Sequence, residues 1–244
     1  MNAITRKISL SVFVSLAAAI TVTAAEKEGK TEPTPKAERT ERRGRARFLD
    51  QDHAPKPRQG WTRLFNGKDL KGWKAFPADR HNSWKVEDGG VLASLVKPGE
   101  HGTNIYTEEK YGDFEFYCEY LVPKNGNSGE FLRGQDEIQV QDDHGEPAGK
   151  KDWGNGGIYG QQKPSKNASK PQGEWQVFYA TIVGKKINVW LNGEQIIKDY
   201  EPPRPTHLYG ELKVKDGDPT GPIVLQGDHT AIKYRQVWIK PIKK

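Results

Sequence analysis

From residue 60 onward the chain alternates apolar and polar positions with a period of two, and no stretch carries the stripe of a three-turn amphipathic helix. Between Asp113 and Val122, residues Phe114, Phe116, Cys118, Tyr120 and Val122 fall on one face. Glu115, Tyr117, Glu119 and Leu121 fall on the other. The run from Trp175 to Val183 is apolar on both faces, which predicts an interior strand. Ile187, Val189 and Leu191 alternate with Lys186, Asn188 and Trp190. Asn192-Gly193 then gives a two-residue hairpin into Gln195 to Lys198. Asp88-Gly89-Gly90 predicts a similar turn between Trp84-Lys85-Val86 and Val91-Leu92-Ala93, and the last strand is placed over Ile232 to Ile239. Many strands with frequent Gly and Pro turns predict an all-β sandwich or jelly roll. The segment Asp142 to Gly173 has little periodicity, and a loop that long in a compact domain is usually functional or mobile.

The first 58 residues follow other rules. Arg6 and Lys7 precede an apolar run from Ile8 to Val22, and small residues at 23–25 offer a cleavage site, so residues 1–25 read as an export signal. The run is short for a membrane span, and a charged stretch follows at once. The expected location is therefore periplasmic or extracellular, with no membrane span once the signal is removed. Residues 26–58 are rich in Lys, Arg, Glu, Pro and Thr and hold too little apolar surface to offset their ordering entropy, so they read as a charged linker. This part also accounts for most of the basic excess. Of the formal +6, the signal holds +2 and the linker +3, leaving +1 for residues 59–244. That near-neutral remainder gives no case for nucleic-acid binding. The lone Cys118 excludes an internal disulfide, so the single domain predicted over 59–244 must be held by its core.

The chemistry gathers around residues 127–142. In Asp136 to Gln141, apolar Ile138 and Val140 alternate with Glu137, Gln139 and Gln141. One face packs on a core. The other presents a carboxylate and two amides, a row suited to gripping sugar hydroxyls. Arg133 lies just upstream, expected on the neighbouring strand. Asp142, Asp143 and His144 form a tempting metal cluster, although their spacing is not diagnostic. The residues specify no cofactor, and a divalent metal stays open. Tyr159, between glycines, and Trp153, in the long loop, are candidates to stack on a sugar.

Several segments, in order over about residues 60 to 242, resemble the 3-keto-disaccharide hydrolase domain family. They are Gly60-Trp61-Thr62-Arg63-Leu64-Phe65-Asn66-Gly67-Lys68-Asp69-Leu70 through Gly72-Trp73, Asn127-Ser128-Gly129, Leu132-Arg133-Gly134, Glu137-Ile138-Gln139-Val140, Gly157-Ile158-Tyr159-Gly160, Lys170-Pro171 with Gly173-Glu174-Trp175, Leu191-Asn192-Gly193, Gly221-Pro222-Ile223-Val224-Leu225-Gln226 and Tyr234-Arg235-Gln236-Val237-Trp238-Ile239-Lys240-Pro241. The resemblance implies a concanavalin-like jelly roll of two antiparallel sheets and a carbohydrate substrate carrying a ketone at C3. One departure stands out. The family usually reads Leu-Gln-Asp-His-Gly near its end, whereas this chain has Leu225-Gln226-Gly227-Asp228-His229-Thr230.

A C3 ketone acidifies the C2 hydrogen. The implied route is C2 deprotonation, elimination at C1 and hydration, and it needs a base, an enolate stabiliser and an acid. Glu137 is the candidate base, or else it only pairs with Arg133. Arg133 is the candidate stabiliser, with the same ion pair as its alternative, and His229 is the third catalytic candidate. Asn127, Gln139, Asp142, Tyr159, Trp153, Gln226 and Arg235 are the expected substrate contacts. Two rivals stand beside this reading. An ordinary retaining glycosidase wants two carboxyls about 5–5.5 Å apart, whereas Glu137 and Asp142 in one strand would be roughly 16 Å apart. A non-catalytic carbohydrate-binding module would disperse the charges that catalysis must bring together.

Overall fold

The computed structural model describes residues 60–97, 99–206, 212 and 214–243. The predicted signal and linker, with His53, lie outside them. Thirteen strands build two antiparallel sheets: β1 (Thr62–Arg63), β2 (Trp73–Phe76), β3 (Trp84–Glu87), β4 (Val91–Ser94), β5 (Asn104–Thr107), β6 (Phe114–Leu121), β7 (Asn127–Leu132), β8 (Asp136–Gln141), β9 (Gln176–Val183), β10 (Lys186–Leu191), β11 (Glu194–Tyr200), β12 (Val224–Leu225) and β13 (Ile232–Pro241). The larger sheet runs β11-β10-β9-β6-β13-β4-β3, with β1 paired to β13. The smaller runs β2-β5-β12-β7-β8. The predicted all-β jelly-roll sandwich is therefore the fold, and no described helix is long and apolar enough to cross a membrane.

Alternation decides which residues enter the core. Phe114, Phe116, Cys118 and Tyr120 of β6 meet Leu132, Ile138, Val140, Ile105 and Leu225 of the smaller sheet in one buried cluster. The apolar β9 lies inside its sheet between β10 and β6. On the far face of the larger sheet Trp61, Tyr117, Val177, Tyr179, Trp190 and Trp238 bury one another, so Trp190 does face away from Ile187, Val189 and Leu191. The β10–β11 turn places both Asn192 and Gly193 at positive φ, as a two-residue hairpin requires.

Pairing leaves the smaller sheet with a polar outer face. Paired residues share a face, so Phe131 lies beside Glu137, Gly129 beside Gln139 and Asn127 beside Gln141. β12 continues the sheet: Leu225 pairs with Glu130 on the inner face, and the Gln226 backbone N–H donates to Gly129 O, which sets Gln226 on the outer one. β8 would be an open edge. Residues 156–162 of the long loop close it: Gly156 N donates to Gln139 O, Gln139 N to Gly157 O, and Tyr159 N to Glu137 O. The segment predicted as an irregular loop thus carries Tyr159 back to the start of β8.

Candidate active site

The polar face opens into a cleft of about 250 Å³ whose lining includes Asn127, Glu137, Gln139, Tyr159, Gln226 and His229. Six of the ten residues expected from the sequence therefore meet in one place. Glu137 is its chemical centre. The residue is only 7% exposed, and its carboxylate has no hydrogen-bond partner among the described residues. Burial pushes its carboxyl up to about 7, with His229 working against that and Asp228 adding to it. Glu137 leans across the sheet over Gly129. A Cβ on that glycine would lie 2.6 Å from Glu137 Oε1 and 2.9 Å from its Cγ. Gly129 is thus the gap in β7 into which the carboxylate leans.

The amides around it are ordered by one another. Gln139 Nε2 donates to Asn127 Oδ1 and Gln141 Oε1, while Gln141 Nε2 donates to Gly126 O. Gln226 differs: its side-chain oxygen is buried without a hydrogen-bond partner among the described residues, an unsatisfied acceptor in the wall of the cleft. His229 arrives through a tight bend. At Gly227 a Cβ would sit 2.5 Å from the Trp84 ring and 2.7 Å from Thr103 O, so the extra glycine lets the chain turn where no side chain fits. Beyond the bend, Thr230 Oγ1 donates to Asn127 O and accepts from Asn127 N. His229 Nδ1 lies 3.2 Å from Asp228 Oδ1. That contact holds the imidazole above its ordinary 6.5, against desolvation, with the Asp228 and Glu137 charges adding to it.

Four expected site residues lie elsewhere, each for a physical reason. Arg133 is not on the strand: it sits in the β7–β8 turn at φ 56°, followed by Gly134 at φ 64°. The turn aims its guanidinium away from Glu137, and its donors go to Gly112 O, Gly184 O and Asp113 Oδ1 at 2.8, 2.7 and 2.9 Å. It is a buried structural pair, so neither the stabiliser role nor the Glu137 ion pair stands. Asp142 caps the preceding turn, accepting from Asn125 N at 2.8 Å. Trp153 stands in the loop with Lys163 over its ring at 5.9 Å. Arg235 lies on the larger sheet, bonded to Glu119 and stacked 4.2 Å over Trp175.

The proposed metal cluster does not assemble. Asp143 is buried and accepts from Asn155 N and Ser169 Oγ, and His144 Nδ1 meets Ser169 O. Among the described residues no group of three or more His, Cys, Asp or Glu side chains is placed to hold a metal ion. The cleft also contains residues that strand periodicity does not single out: Asn104, Phe131, Gln161, Arg204, Thr206 and Asp228. Asn104 and Phe131 could have been found from β-pairing, since they share the outer face with Gln226 and Glu137. Arg204, in the run Pro202-Pro203-Arg204-Pro205, carries no sequence signal linking it to the cleft.

Residues 60–240 match the 3-keto-alpha-glucoside-1,2-lyase-like domain. A protein of Bacteroides thetaiotaomicron named 3-keto-disaccharide hydrolase is 32% identical over 106 residues. The match takes in 41% of this chain and 36% of that protein, so the chain spans little more than a third of that relative. Two solved structures from Parabacteroides distasonis, each described as a "putative glycosyl hydrolase", superpose with TM-scores of 0.61. One is 25% identical, covering 77% of this chain and 96% of the other; the second is 30% identical, covering 75% and 84%.

Proposed function

Since the chain belongs to the 3-keto-alpha-glucoside-1,2-lyase-like domain family, we propose that its cleft cleaves 3-keto glycosides, with Glu137 as the base. The observation that carries this reading is a sheltered carboxyl pushed up to about 7, free of hydrogen bonds among the described residues and set in a face of amides. A base is most effective when its pKa lies near the working pH. In the proposed step Glu137 takes the C2 proton, and the C2–H electrons move into an enolate whose charge rests on O3. Collapse of the enolate re-forms the C3 carbonyl, makes a C1–C2 double bond and breaks the C1–O bond. The departing oxygen takes a proton from His229, whose protonated form Asp228 favours. Water then adds across the double bond, its oxygen to C1 and a proton to C2. Gln226 Oε1 and the ordered amides of Asn127 and Gln139 would hold the hydroxyls.

Release assays on residues 59–244 with a 3-keto glucoside, the matching plain glucoside and Glu137→Gln test this. The expected result is turnover of the ketone alone, reduced at least about 100-fold by the substitution, with deuterium from solvent at C2. Release from the plain glucoside, or ketone turnover without C2 label, would overturn it. Glycan binding with no turnover would instead favour a binding module. Export of the full chain by its first 25 residues belongs to the same proposal, and signal removal is read by the mass of the secreted protein.

A further inference from the structure

Elimination from a 3-keto sugar loads charge on two atoms that flank C2: O3 becomes an enolate and the oxygen on C1 must leave. A base at C2 therefore needs a positive donor on one side and an acid on the other. With Arg133 committed to Gly112, Gly184 and Asp113, the basic side chains lining the cleft among the described residues are His229 and Arg204.

These two enter from opposite ends of β7. His229 sits beside Thr230, which is bonded to Asn127 at the start of the strand. Arg204 also lines an adjoining cavity of about 540 Å³ with Arg133 and Gln135 of the turn at the strand's far end and with Asp136 at the start of β8. Between them the Glu137 carboxylate lies over Gly129.

The chain around Arg204 is built to hold its backbone still. Pro202, Pro203 and Pro205 fix φ and remove freedom from the segment. Thr206 Oγ1 donates to Tyr159 O and accepts from Gln161 Nε2, pinning the segment to the loop that pairs with β8. The side chain itself is exposed, and among the described residues it has no ion-pair partner, although Asp113 and Asp136 line the cavity next door. A fixed anchor whose guanidinium has no ion-pair partner among the described residues, lining the same cleft as Glu137, is the geometry of a donor kept for substrate.

We propose that Arg204 binds the C3 keto oxygen and stabilises the enolate that forms there, leaving His229 as the acid at C1. This rests on the ketone-elimination reading above. The test is kcat/KM for a 3-keto glucoside, with the rate of C2 deuterium exchange, in Arg204→Ala and Arg204→Lys. Loss of one such donor is expected to cost about 100- to 1000-fold, mostly in kcat. Added guanidinium ion should restore part of the Arg204→Ala rate, and Arg204→Lys should fall between, because a point charge lacks the fork. Wild-type ketone turnover that Arg204→Ala leaves unchanged would overturn this inference alone. So would a loss that guanidinium does not restore and that accompanies a lowered Tm. No ketone turnover by the wild type would remove the elimination reading and this inference with it.

Discussion

Adding one methyl group at Gly129 should move the Glu137 carboxylate without unfolding the sheet. Gly129 is not among the residues at positive φ, so its backbone accepts alanine, and replacing a strand-interior glycine would ordinarily gain about 0.4–1 kcal/mol. The new Cβ would lie 2.6, 2.9 and 3.1 Å from Oε1, Cγ and Cδ of Glu137, all closer than van der Waals contact allows. Those atoms end a flexible side chain whose carboxylate has no hydrogen bond to break among the described residues, so the cheapest relief is a swing of roughly 1 Å toward the cleft opening. A displacement of that size at a reacting group costs about 100-fold in rate. Greater exposure also removes part of the burial that holds the carboxyl at about 7, so the rising limb of the pH–rate profile should move to lower pH. The assay is kcat/KM from pH 5 to 9 for Gly129→Ala, with thermal unfolding beside it. The expected result is a slower enzyme with a near-native Tm and a shifted limb. Gly129→Ala combined with Glu137→Gln should lose nothing beyond the single Glu137→Gln change. Full activity with an unmoved profile would refute the reasoning, as would a collapsed Tm.

Two further outcomes follow from the same geometry. Arg133→Ala breaks a pair whose side chains are 7% and 10% exposed, so it should cost about 3 kcal/mol in denaturant unfolding while turnover per folded molecule stays unchanged; a selective loss of turnover would return Arg133 to the chemistry. Glu130, fully buried beside Cys118, is held up at about 8, and Glu137 and Asp136 at about 7 and about 6. The folded chain thus keeps protons that the unfolded chain releases, and each pH unit of such retention by one group costs about 1.4 kcal/mol. His229, raised when folded, acts in the same direction. Stability should therefore fall as pH rises from about 4.5 to 8, and Glu130→Gln should flatten the fall; a Tm that climbs with pH across this window would contradict it.

What the sequence determined by itself is what a few neighbouring residues encode. Alternation assigned Phe114, Phe116, Cys118 and Tyr120 to one face and Glu137, Gln139 and Gln141 to another, because successive side chains in a strand must point opposite ways. Asn192-Gly193 set its own hairpin, since both residues tolerate positive φ. The polar row around Glu137 was legible for the same reason. What only the tertiary structure decided is which distant segments meet that row. Arg133 looked like a strand neighbour of Glu137, yet the left-handed turn at Arg133-Gly134 swings it to Asp113 instead. Pairing of residues 156–162 with β8 brings in Tyr159 and leaves Trp153 outside. The bend at Gly227 delivers His229, and the proline-framed segment delivers Arg204. These placements depend on which strand edges pair and where loops close, and those energies are shared among residues far apart in the chain rather than written in any local pattern.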